Sequence, residues 1–314
     1  MFSKKVIVVF GATGAQGGGL AHAILNDPNS EFAVRAITRN PDSDKAKALA
    51  KIGAEIVAGD IDDPQSMKRA LKGAYGAYFV TFYWSHLSAE REYEEAHGMA
   101  KAAIDAGLKH VIWSTLEDTR KYIPLDDSRM PTLQGKYKNP HFDAKGAANH
   151  FFIDLKVPVT FLMASFYWDN LITSGPKKGP DGKLYLTLPL DDKKMAGIAS
   201  EDIGKCAYGI FKKGKALIGK TIGVAGEQLT GKEMAEALSK ALGKEVLFNN
   251  VTPDTFRSFG FPGAEDLGNM FQFYRDFAKE CNSVRDVKFS RELNPELKSF
   301  QQWLSKNAQR ISVE

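Results

Sequence analysis

The sequence predicts an α/β protein: a doubly wound, mostly parallel sheet with a smaller α/β lobe toward its C-terminal end. Three observations predict it. A strand-length run, Lys5-Val6-Ile7-Val8-Val9-Phe10, passes straight into the glycine string Gly11-Ala12-Thr13-Gly14-Ala15-Gln16-Gly17. Short β-rich runs then alternate with helix-length segments through the first half of the chain. After Trp168 the alternation fades, and no Ser- or Pro-rich linker, internal repeat or low-complexity tract marks the change.

Each element has its own reason. The first run is apolar without alternation, as a strand buried on both faces is. Gly18 to Leu25 can continue as a helix, so strand, glycine turn and helix follow in sequence. Residues 32–37 read as a second strand, and 43–52 as a helix capped by Asp42 or Ser43. A short third strand occupies 55–58. Asp63-Pro64 opens a helix to Lys72, with the proline in its first turn. The fourth strand is 77–80. A long helix over 90–105 ends before Gly107, a residue suited to the left-handed position after a helix. The fifth and sixth strands are 110–114 and 158–163. Such alternation gives right-handed βαβ units. Farther on, 176–182 is a loop, 183–188 and 195–199 are short strands, and helices fall at 201–211, 230–242, 266–280 and 297–307. The expected division is a dinucleotide-binding, Rossmann-like domain over 1–165 and a smaller lobe over 166–314, partly interleaved with it.

Bulk properties exclude several classes. The chain has 314 residues, 43% of them hydrophobic and 25% charged, an ordinary globular balance. No apolar run is long enough to span a bilayer. The first residues lead directly into a strand, so no signal peptide is expected and the cytoplasm, with or without the nucleus, is the expected compartment. Lys and Arg number 42 against 38 Asp and Glu, a net +4, too small an excess to point to nucleic acid. Cys206 and Cys281 stand far apart, which fits reduced thiols rather than a disulfide or a zinc site. No metal is expected.

The glycine string carries the chemistry. Glycines let the backbone approach an anion, and a helix N-terminus offers free N–H groups and a favourable dipole, so this turn suits a pyrophosphate. The end of the second strand selects the cofactor. Sites for NAD usually carry a carboxylate there, whereas this chain has Thr38-Arg39-Asn40. A guanidinium suits a 2′-phosphate, so NADP(H) is expected. Lys45 is either a second phosphate cation or a solvated surface charge. After the third strand, Asp60 accepts from the adenine amino group, with Ile61 lining the adenine slot, or Asp60 or Asp62 caps the next helix, and the two readings are compatible. Thr81, Phe82, Tyr83 and Trp84 follow the fourth strand. They either flank the nicotinamide ribose or pack the loop.

Those strings, with Gly59-Asp60, His141-Phe142-Asp143-Ala144-Lys145, Phe166-Tyr167-Trp168-Asp169-Asn170-Leu171, Gly260-Phe261-Pro262-Gly263-Ala264 and Asp266-Leu267-Gly268-Asn269-Met270-Phe271, together resemble the NmrA-like family. This is an atypical branch of the short-chain dehydrogenases/reductases, and the likeness is particularly to its HSCARG-type subgroup. The resemblance spans nearly the whole chain. It implies an extended Rossmann domain, a small C-terminal lobe and NADP(H) in the cleft. Residue by residue it implicates Gly11, Ala12, Thr13, Gly14, Ala15, Gln16, Arg39, Phe82, Tyr83, Lys145, Ser165, Phe166, Tyr167 and Trp168 in cofactor binding.

Typical short-chain reductases pair a tyrosine, which gives its proton to the carbonyl oxygen, with a lysine four residues later that holds the ribose hydroxyls, and a serine after the fifth strand polarises the same carbonyl. Ser114 and Lys145 stand in those places, but the residue four before Lys145 is His141. Either His141 donates a proton, since imidazole titrates near neutrality, or it fills a site that has lost its chemistry. A neighbouring ammonium would oppose the first reading. Tyr137 is a possible substitute from the preceding loop. Tyr208 and Lys212 share the spacing but follow no strand of the nucleotide fold. His22, His97 and His150 read as surface or core residues, and His86 as the one near the cleft. No G-x-S-x-G elbow or Cys/His dyad supports a hydrolase.

Two functions follow. An intact dinucleotide site beside an altered proton donor suggests a sensor of the NADPH/NADP⁺ balance, acting on a regulatory protein partner through the loops at 82–84 and 166–170. The alternative is an NADPH-dependent reductase of quinones or activated carbonyls, with Phe82, Tyr83, Trp84, Tyr167 and Trp168 as a flat slot. A homodimer is compatible with either, and the segment 122–137 is long enough to roof the cleft.

Overall fold

The computed structural model describes residues 4–313 of the chain. In chain order the first half comprises β1 (Lys5–Val9), α1 (Ala15–Leu25), β2 (Phe32–Thr38), α2 (Asp44–Lys51), β3 (Glu55–Ala58), α3 (Pro64–Leu71), β4 (Gly76–Phe79), α4 (Ala89–Asp105), β5 (His110–Thr115), α5 (Pro140–Asp154) and β6 (Val159–Met163). The second half comprises β7 (Phe166–Tyr167), α6 (Leu171–Ser174), β8 (Lys177–Lys178), β9 (Leu184–Leu188), β10 (Met195–Ile198), α7 (Ser200–Lys213), β11 (Thr221–Gly223), β12 (Glu227–Leu229), α8 (Gly231–Leu242), β13 (Val246–Asn250), α9 (Pro253–Arg257), α10 (Ala264–Asp276), α11 (Ala278–Val284), α12 (Val287–Leu293) and α13 (Phe300–Asn307).

Seven strands form one sheet in the order β11-β6-β5-β4-β1-β2-β3, and every pairing in it is parallel. Chain order reverses between β1 and β4. In an open α/β sheet the crevice at such a switch point, outside the carboxyl ends of the strands, is where ligands bind. The turn after β1 and the loop after β4 both open there.

Both faces of the sheet are covered, which is why its strands read as unbroken apolar runs. On one face Phe79, Trp113 and Phe152 pack with Met99 and Leu71. On the other, Ile7, Tyr78 and Leu162 pack against α1 and α7. α7 comes from the second half of the chain, and it crosses α1 at unusually close range. A Cβ at Gly19 would lie 2.1 Å from the Glu201 carbonyl oxygen, and one at Gly204 would lie 2.2 Å from that of Gln16. β11 likewise returns to pair with β6. The remaining strands make two small sheets, β12-β10-β7 and β13-β9-β8. Their core, with Trp168, Phe271, Phe300 and Trp303, is separate from that of the large sheet.

Some expectations change in detail. Ser43, not Asp42, caps α2. Asp63 caps α3 by accepting from Gln65 N, while Asp60 and Asp62 do not. The helix expected over 266–280 is two, α10 and α11, broken at Phe277 where φ is −118° and ψ 35°. The last helix starts at Phe300 rather than 297, set by a capping box from Ser299 and Gln302.

Candidate functional site

The turn after β1 is shaped for an anion. Gly11 holds φ at +64°, and Gly14 N donates to Gly11 O at 2.8 Å. A Cβ at Gly17 would lie 2.5 Å from Gly11 O, so only glycine lets α1 start this close to the strand. Gly14 is the N-cap of α1, with no side-chain cap and no acid in the first turn. The N–H groups of Ala15, Gln16 and Gly17 therefore lack the side-chain acceptors that cap α2, α3 and α4. The geometry fits a bound pyrophosphate. At the end of β2, Arg39 is exposed, with no hydrogen-bond or ion-pair partner among the described residues. Lys45 is exposed on α2 and, with Thr13, Gly14 and Ala15, lines a groove of about 900 Å³ along α1. Asp60 Oδ1 accepts from Asp62 N at 3.1 Å, so Asp60 makes a local turn beside Ile61.

Beyond the turn, one side chain joins three strands. Gln16 Oε1 accepts from Ser114 Oγ at 2.8 Å and from Tyr78 OH, and Gln16 Nε2 bonds Tyr167 OH. Ser114, expected to polarise a carbonyl, thus donates its hydrogen bond to Gln16 here. Ser165 Oγ is buried beside β7 with no hydrogen-bond partner among the described residues.

Lys145 differs from its expected role. Its ammonium pairs with Glu92, which is fully buried on α4, and with Thr81 Oγ1 at 2.5 Å. Thr81 Oγ1 also donates to Glu92. The lysine so tied is a neutralised pair under the loop after β4, not a free cation for ribose hydroxyls. In that loop Phe82 is 64% exposed and Trp84 37%, while Tyr83 is buried with Tyr137 and Ala144. Phe82 and Trp84 therefore face solvent at the crevice mouth. Trp168 does not join them. It is buried against Phe300 and Trp303, with ring centroids 5.3 and 6.5 Å apart, so its place in the flat slot is corrected. Phe166 also packs into the lobe core, 6.0 Å from Phe271 between ring centroids.

His141 sits one helical turn before Lys145, at the N-terminal end of α5. Its ring lies 5.0 Å from that of Trp84 and 5.7 Å from that of Tyr83, and its Nδ1 is 2.9 Å from Asp266 Oδ2 on α10. Burial and the Asp266 charge raise the Tyr83 phenol well above its ordinary range. Tyr137 OH turns to Glu90 Oε1 at 3.3 Å rather than into the crevice. Behind Lys145, His86 Nε2 is 3.7 Å from Glu95 Oε1. Burial depresses the His86 imidazole, and burial with the nearby Glu92 charge pushes Glu95 up to about 7. Tyr208 OH bonds Asp27 at 2.7 Å beyond the C-terminal end of α1, in the same groove as Lys45, with Lys212 over its ring. No group of metal-ligating side chains and no membrane-crossing helix occurs among the described residues.

A sequence profile of the NmrA-like family matches residues 3–304. The chain belongs to the NmrA-like family. An NmrA-like family domain-containing oxidoreductase of Cladobotryum sp., FrzB, is 30% identical, over 85% of this chain and 83% of its own. Among solved structures, NmrA, a negative transcriptional regulator, in complex with NADP superposes with a TM-score of 0.78 at 22% identity, covering 97% and 95% of the two chains. The Citrobacter sp. triphenylmethane reductase complexed with NADP(H) gives 0.73 at 21%, covering 97% and 100%.

In this NmrA-like protein, sequence reasoning missed the side chains that partner the expected ones. Glu92 and Asp266 each lie far from their partners in the chain, and neither carried an expected role. Gln16 was expected at the cofactor, but not as the residue that holds Ser114. Only Glu92's place on a face otherwise rich in alanine and methionine hinted at burial.

Proposed function

We propose that this NmrA-like protein is an NADP(H)-dependent oxidoreductase acting on quinones or other activated carbonyls. One observation carries the reading: an uncapped helix start and an Arg39 that pairs with no other described residue flank the switch point, with no carboxylate where an NAD site would have one. The description of FrzB as an oxidoreductase and the NADP(H) complex of triphenylmethane reductase support it.

Bound there, NADPH would supply the hydride. Ala15, Gln16 and Gly17 would hold the pyrophosphate through backbone N–H groups, with Gly11 to Gly14 forming the turn. Arg39 and Lys45 would hold the 2′-phosphate. Asp60 and Ile61 would border the adenine, and Thr81, Phe82 and Tyr83 with Ser165, Phe166 and Tyr167 the nicotinamide end. Phe82 and Trp84 offer exposed faces on which a flat conjugated acceptor stacks. Ser114, once released by Gln16, can donate to the acceptor oxygen. The test follows NADPH absorbance against menadione, 1,4-benzoquinone and a series of aldehydes. Turnover of a quinone that falls at least about tenfold in Ser114→Ala is expected. Oxidation no faster than in buffer, for every acceptor, overturns the reading.

A second reading, a sensor of the NADPH/NADP⁺ balance with a regulatory protein partner, is favoured by Gln16. Its backbone opens the phosphate turn while its side chain holds Ser114 and Tyr167. A seated cofactor could thus shift the arrangement that a partner meets. Calorimetry with both cofactor forms and hydrogen exchange at 82–84 and 166–170 decide it. Equal affinity with equal protection removes this reading.

A further inference from the structure

We infer that Asp266 positions His141 as the proton-donating residue of the crevice, the two forming a buried imidazole–carboxylate pair whose Nε2 serves the acceptor oxygen. The inference rests on the oxidoreductase reading above and deepens it.

The pair joins the two halves of the chain. His141 is 6% exposed and Asp266 5%, with Nδ1 and Oδ2 2.9 Å apart. Acids in the first turn of a helix usually lie in solvent and offset its dipole or cap its N–H groups. Asp266 is buried instead, and among the described residues neither of its carboxylate oxygens accepts an aligned hydrogen bond, although the Tyr83 phenol stands close enough to be raised by its charge. His141 Nδ1 is likewise without an aligned bond, so the contact is electrostatic at this ring angle. Misaligned contacts of this kind tighten when a substrate closes a site. The opposite nitrogen, Nε2, makes no hydrogen bond among the described residues and, unlike Nδ1, is not wholly enclosed.

The surroundings hold this arrangement. Asn139, the residue before α5, donates through Nδ2 to Asp266 O at 2.7 Å, tying the start of α10 to the start of α5. Gly263, with φ at +85°, passes so close to Trp84 that a Cβ would lie 2.8 Å from the indole, and Trp84 in turn covers the imidazole. The ammonium that would oppose a charged imidazole is offset, because Lys145 is paired with Glu92. Asp266 and Tyr83 also line a chamber of about 460 Å³ with Gln134, Arg257 and Glu265, roomy and polar enough for water.

In the step, hydride adds to the acceptor carbon and the electron pair of the C=O bond moves onto oxygen. That oxygen takes the proton from His141 Nε2. The ring is left neutral with its proton on Nδ1, facing Asp266, and water restores the proton on Nε2. A carboxylate at Nδ1 fixes the tautomer in which Nε2 is the nitrogen that exchanges.

The test uses full-length, ¹⁵N-labelled protein. Long-range ¹H–¹⁵N spectra of the histidines, with His141 assigned by His141→Gln, should show Nδ1 protonated in the native protein. In Asp266→Asn, whose amide can donate, the tautomers should mix. With NADPH and menadione, Asp266→Asn should lower kcat about a hundredfold with KM for NADPH unchanged, and Asp266→Glu should recover part of the loss. A bare Nδ1 in the native protein overturns the pair, and so does an Asp266→Asn spectrum identical to it. If no acceptor is turned over, the oxidoreductase reading and the donor role fall together, while the spectra still report whether the pair exists.

Discussion

Arg39 and Glu95 show how differently two single residues are decided. The arginine matters because no other described residue claims it: it follows β2 directly and is exposed. Arg39→Ala should weaken NADPH binding by about tenfold or more, the size of a lost charge-assisted hydrogen bond, and leave NADH binding unchanged. Titration calorimetry with both nucleotides checks this. Glu95 matters because burial and the Glu92 charge push its carboxyl from 4.5 up to about 7. An acid whose value is raised on folding holds its proton more tightly in the folded state. Its contribution to stability is full below about pH 4.5 and is lost as pH rises through about 7. Between pH 5 and 8 the native protein should lose melting temperature, and Glu95→Gln should remove part of that slope.

Among the elements, α1 and α7 are set by glycines rather than by apolar volume. Gly204 sits against the Gln16 carbonyl so closely that any side chain must separate the helices. Gly204→Ala should lower stability by about 1–3 kcal/mol, as overpacking does, measured by urea unfolding. It should also weaken NADPH, because the displaced backbone belongs to the phosphate turn. The connection between β5 and α5 illustrates a second device. Asp143 accepts from Thr119 N and Oγ1 and from the N–H groups of Lys138 and Asn139, at 2.6 to 3.0 Å. A stretch that reads as an overlong polar loop is thus ordered from within by one buried carboxylate. Asn269 and Gln272 on α10 then bind its backbone at Pro131 and Arg129. The loop follows the lobe because its carbonyls have partners there.

For the whole molecule, the two halves are interlocked rather than strung together. The large sheet takes its outer strand and one covering helix from the second half. Arg285, fully buried, clasps Glu117 after β5 and donates to Ala164 O after β6. Removing one partner leaves the other charge buried and uncompensated, so Arg285→Met should cost about 3–5 kcal/mol. Chemical denaturation should register it as loss of the whole fold, because the clasp spans both halves.

The sequence by itself determined the parallel sheet, the chain positions of its first six strands, the phosphate turn and the family, because apolar period, glycine spacing and helix caps are local quantities. It also singled out Arg39 and His141, whose meaning depends on their place after a strand or before a lysine. Only the tertiary structure decided what those residues touch. The pairing of Lys145 with Glu92, of Ser114 with Gln16 and of His141 with Asp266, and the burial of Trp168, join positions far apart in the chain. Such contacts are selected by packing and charge compensation across the whole fold, and neither has a period along the sequence.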